Sequence, residues 1–112
     1  MELPPEVREI EINNRMRPYG RAHIGGPTDG KMEINLRRGD VVDTIIHETL
    51  HLVDPMMDHD KVYSEAAKIE GKMSLPEMAD LLMQAHMRSQ YPVHRRQITH
   101  STASKVISSN IK

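Results

Sequence analysis

The chain has 112 residues, a length that suits one domain with a modest core. With 38% hydrophobic and 28% charged residues it fits neither global disorder nor a membrane span, and a net charge of −1 points to no partner. There is no cysteine, which excludes disulfides and thiolate metal sites, so a transition-metal site must draw on the seven histidines and the carboxylates.

The first residues, Met1-Glu2-Leu3-Pro4-Pro5, have no basic run leading into an apolar stretch, so no secretory signal is expected. No segment approaches the roughly twenty apolar residues of a membrane helix, and a cytoplasmic location is the expectation. Residues 6–12 alternate apolar and charged. Val7 is out of step with Ile10 and Ile12, so a strand is expected over residues 9–12. Pro18 and Gly20 break the chain, and residues 21–24 can form a second strand. The run Gly25-Gly26-Pro27-Thr28-Asp29-Gly30 is a turn. Residues 31–36 alternate again, with Met32, Ile34 and Leu36 on one face of a third strand.

A helix is expected over residues 40–54. Asp40 can cap its free N–H groups, Asp43 adds negative charge to its first turn, and Pro55 ends it. Val42, Ile45, Ile46, Leu50 and Val53 form its apolar stripe. A second helix starts near residues 58–60, with Val62, Ala66, Ile69 and Met73 on one face and Gly71 as its stop. The third opens with Ser74 as N-cap, Pro76 in the first turn and Glu77 completing a capping box. Leu75, Met78, Ala79, Leu82 and Ala85 supply its apolar side, and Tyr91-Pro92 closes it. Strands followed by helices indicate an α+β domain over residues 1–92, with the helices on one side of a small sheet of about three strands. With no Phe, no Trp and three Tyr, the core must be Ile, Leu, Val and Met, the nine Met filling gaps that rings would otherwise fill.

Residues 93–112 show weak periodicity and many Ser and Thr. They read as a basic tail without order of its own. No acidic residue follows Asp80, while Arg88, Arg95, Arg96, Lys105 and Lys112 do, a balance that can favour nucleic acid.

The chemistry is concentrated in His47-Glu48-Thr49-Leu50-His51. Histidines four apart on a helix lie one turn apart on one face, where two imidazoles can bind one metal ion. Glu48 flanks that face as a general base that takes a proton from water without being a ligand itself. His47, Glu48 and His51 lie off the apolar stripe, as a polar seam beside it. Two imidazoles with a third N or O ligand describe a catalytic zinc site better than another metal, and a closed structural site would ordinarily use cysteine. The bland alternative is a solvent-facing pair of histidines. Spacing leaves the third ligand open among His59, Glu65 and an aspartate from Asp54, Asp58 or Asp60. The long zinc-protease motif is absent, because Asp54 and Met57 stand where it requires Gly and His.

Several stretches together resemble the SprT-like branch of the zincin metallopeptidases. They are Arg15-Met16-Arg17-Pro18-Tyr19-Gly20-Arg21-Ala22, Lys31-Met32-Glu33-Ile34-Asn35-Leu36, Thr44-Ile45-Ile46-His47-Glu48-Thr49-Leu50-His51-Leu52, and His59-Asp60-Lys61-Val62-Tyr63 with Ala66, Ala67 and Ile69. The resemblance implies a zinc-dependent peptidase with His47, His51 and His59 as ligands, Glu48 as catalytic base, and a protein or peptide substrate. It departs from the family at Asp60, where Gly is common, at Tyr63, where Phe or Trp is common, and in lacking the zinc-ribbon cysteines. Some family members act on DNA-bound proteins, so the resemblance also admits a nucleoprotein setting. Tyr63 is expected to pack beneath the zinc helix, and residues 32–36 to form the sheet edge where an extended peptide adds.

Overall fold

A computed structural model of the chain describes residues 1–93 and the backbone of residues 105–109. Three strands, β1 (Glu9–Ile12), β2 (Gly20–Ile24) and β3 (Lys31–Ile34), precede three helices, α1 (Val41–Val53), α2 (His59–Gly71) and α3 (Leu75–Gln90). The α+β class follows from that order. A fourth strand, β4 (Lys105–Ser109), returns to the sheet.

The sheet runs β1-β3-β2-β4, with β1 parallel to β3 and the other two pairings antiparallel. Two expectations change here. Residues 31–34 form an interior strand, paired on both sides, and not an edge. Strand order is a long-range property: the chain leaves β1, crosses to β2 and returns between them. In the tail, Lys105–Ser109 is paired backbone, with Gly20 opposite Ser109 and Ala22 opposite Ile107. The β-branched pair Val106-Ile107 is the strand-forming signal in this Ser-rich stretch. Residues 94–104 and 110–112, with most of the expected basic tail, lie outside the described residues.

Alternation decides which residues face the helices. Ile10, Ala22, Met32 and Ile34 are buried against Val42, Ile45 and Ile46 of α1, with Ala66, Leu81 and Ala85 completing the core. The opposite face carries a polar lattice. His23 and Glu33 pair at 2.7 Å, Asn13 donates to Glu33 at 3.1 Å, and Lys31 pairs with Glu11 at 3.1 Å. Burial alone would raise the Glu33 pKa, but the bonds from His23 and Asn13 outweigh it and hold the carboxyl below its usual range.

The helix starts are as the sequence dictates. Asp40 accepts from the Asp43 N–H at 3.3 Å, and Ser74 with Glu77 forms a reciprocal capping box. The buried faces are less well foreseen. On α1, Leu52 is buried while Val53 is exposed. On α3 the buried residues are Leu81 and Ala85, whereas Leu75 and Leu82 face solvent. Leu and Met occur all round α3, so its sequence offers two stripes and packing selects one. Arg88, from the expected basic stretch, turns inward. Its guanidinium donates to the carbonyls of Leu3, Pro4 and Val7 and ties the first residues to α3. No described helix is long and apolar enough to cross a membrane.

Candidate metal centre

The α1 helix carries both histidines of the central motif into the protein interior. His47, Glu48 and His51 are at most 2% exposed, so the expected polar seam is buried, and the solvent-facing alternative is excluded. A buried polar group at these positions is costly unless it has a use or a partner. The His47 and His51 Nε2 atoms stand 3.1 Å apart. Two ligand nitrogens at about 2.0–2.1 Å from one tetrahedral ion would be separated by roughly 3.3 Å. The pair is therefore nearly at chelating distance.

The third histidine arrives from α2. The turn between the helices is closed by the Met57 N–H donating to the Asp54 carbonyl at 3.0 Å, and α2 then runs back along α1. This brings the His59 ring centroid within 5.3 Å of His47 and 5.1 Å of His51. One ligand atom from each of the three lies within 4.8 Å of the others, and His59 is the least buried of the set. These three residues can hold one metal ion. The other residues weighed for the third place are elsewhere. Glu65 pairs with Lys68 at 3.5 Å, and Asp54 accepts from the Met56 N–H at 3.2 Å. Neither they nor Asp58 and Asp60 belong to the cluster.

Electrostatics keeps His47 ready to ligate. Burial, reinforced by His51 and His59, lowers the His47 pKa to about 4, so His47 is neutral at physiological pH and its lone pair is available. Tyr63, one helical turn beyond His59, places its ring edge against His47 with centroids 4.8 Å apart, and stands 5.3 Å from His59. The expected packing role is thus realised over the histidines themselves. Burial, then Asp43, Glu48 and Asp60, raise the Tyr63 phenol pKa, so it stays a protonated donor beside the cluster.

Sequence reading missed Gly20. A methyl group on Gly20 would lie 2.8 Å from Glu48 Oε2 and 2.8 Å from Thr44 Cγ2. A glycine inside a strand pattern is a general mark of close approach, but only the fold shows that the approaching group is Glu48.

No protein-family model, curated protein or solved structure matches this chain. The resemblance to the SprT-like zincins accordingly stands on the residue stretches quoted above.

Proposed function

We propose that this protein is a zinc-dependent peptidase, with His47, His51 and His59 holding the metal and Glu48 as the general base. The observation that carries this reading is the convergence of three histidines from two helices, with a buried carboxylate in the same helix turn. The donor set fits the group: three imidazole nitrogens, with His47 neutral, are the ligands of a catalytic zinc site. When bound, zinc would supply Lewis-acid activation of water and of a carbonyl oxygen.

The chain's own residues do the rest. Glu48, sequestered from solvent, takes the proton of the attacking water and returns it to the leaving amine. The Tyr63 phenol, protonated and beside His47, offers a hydrogen bond to an oxygen that gains negative charge. The packed α1–α2 pair holds these groups in fixed relation, and such positioning contributes to rate.

The test compares wild type with Glu48→Gln, both loaded with zinc, on an unfolded protein and on a fluorogenic peptide library. The expected result is cleavage by wild type and a loss of kcat of at least about 100-fold in the variant, the scale of a general base. Equal rates, or a metal-loaded wild type that cleaves nothing, would contradict the reading and leave a metal-binding domain without hydrolytic chemistry.

A further inference from the structure

Gly20 has no conformational reason to be glycine. The described glycines in the left-handed region are Gly25, Gly26, Gly30 and Gly39, and Gly20 is not among them. It opens β2. Its need is spatial. The site of its missing methyl is filled by Glu48 Oε2 at 2.8 Å, Thr44 Cγ2 at 2.8 Å and Glu48 Cγ at 2.9 Å.

We propose that Gly20 is a positioning residue for Glu48: the bare backbone at the head of β2 forms the wall against which the Glu48 carboxylate is set. The inference rests on the hydrolytic role given to Glu48 above, and argues which party must move if the wall gains a methyl. The strand cannot retreat easily. Gly20 is paired with Ile34 of β3, and the Asn35 N–H donates to the carbonyl of Tyr19, the residue before it, at 3.0 Å. The start of α1 is held to the same place. The Tyr19 ring occupies the space left by Gly39, whose φ is 65° and where a Cβ would fall 2.4 Å from the ring. The Arg38 guanidinium covers that ring at 5.1 Å from its centroid. β2 and α1 are thus fastened together where Tyr19, immediately before Gly20, packs on Gly39, immediately before the Asp40 cap. Thr44 is fixed as well, because its hydroxyl donates to the Asp40 carbonyl at 3.0 Å and so orients its methyl. The Glu48 side chain is what remains to yield. Displacing it by about 1 Å is enough to cost on the order of 100-fold in rate.

The experiment places Gly20→Ala in four full-length backgrounds: wild type, Thr44→Ser, Glu48→Gln and Glu48→Ala. Melting temperature without metal gives the coupling between positions by double-mutant cycles. Zinc content, KM and kcat are then read on the loaded proteins. The expected result is that Glu48→Ala and Thr44→Ser each remove part of the melting-temperature loss caused by Gly20→Ala, because both side chains face its new methyl. Gly20→Ala/Thr44→Ser is expected to keep its zinc and its KM while kcat falls about 100-fold, toward the level of Glu48→Gln. Recovery of kcat in that double variant, or a Gly20→Ala loss unchanged by Glu48→Ala, would overturn the proposal and make Gly20 a packing residue against Thr44. If wild type cleaves nothing, the hydrolytic reading fails by itself, and the metal-free coupling still decides whether Gly20 is the wall for Glu48.

Discussion

His47 is where burial and chemistry meet most directly. Its ring is fully buried beside two other imidazoles, and its pKa is lowered to about 4 from an ordinary value of 6.5. The unfolded chain therefore binds a proton at this residue at a higher pH than the folded one does. The resulting stability is fully present above pH 6.5 and is lost as pH falls toward about 4. Metal binding needs the same deprotonated ring, so acid should strip the ion over that window too. The melting temperature of the metal-free wild type, compared with His47→Asn at each pH, isolates this contribution. The difference between the two proteins is expected to shift against wild type as pH drops through that range. A pH-independent difference would mean that the ring is not held neutral by its surroundings.

At the scale of elements, caps and turns were the most legible features and buried faces the least. Asp40 and Ser74 announce their helices because the bonds that cap a helix are local. Ser74→Ala is expected to cost about 1 kcal/mol. In a domain of this size that lowers the melting temperature by roughly 5 °C, measurable by calorimetry. The buried face of α3 is not legible in its sequence because Leu75, Leu82, Met83 and Met87 make a second apolar stripe that the fold leaves exposed. One contact between elements was not foreseeable. The Asp40 carboxylate at the head of α1 bonds Glu70 near the end of α2, and this bond, with burial, raises the Glu70 pKa to about 7. Here the folded state is the stronger proton binder. Its contribution is complete below pH 4.5 and fades as pH rises through about 7. Glu70→Gln keeps a donor for Asp40 without the charge. It should melt a few degrees above wild type at pH 8 and lose that advantage near pH 5. A wild type as stable as the variant at both pH values would contradict the shared proton.

For the whole molecule, the sheet is a platform that fixes α1, and the α1–α2 hairpin assembles the site. His47, Glu48 and His51 were legible because their spacing is a property of one helix. His59 was not fixed by spacing, since reaching the cluster depends on the reversal at residues 54–58, and only the family resemblance singled it out. The sequence suggests packing for Tyr63 but does not show its place over His47. From the sequence Gly20 reads as a chain break and as part of one family-like stretch, because the space it leaves is filled by Thr44 and Glu48 of a helix distant in the chain. The interior position of β3 was illegible for the same reason: which strands lie side by side is decided by the return path of the chain and not by any one strand's pattern. A metal that binds only the folded protein also stabilises it, by about 2.7 kcal/mol at a free concentration 100 times its dissociation constant.

The most direct measurement is zinc content per chain, by elemental analysis, of purified wild type, His51→Ala and His59→Ala after reconstitution and removal of free metal. The account predicts one zinc per wild-type chain and none in either variant. A wild type that takes up no zinc, or a His59→Ala protein that keeps it, would contradict the three-histidine centre.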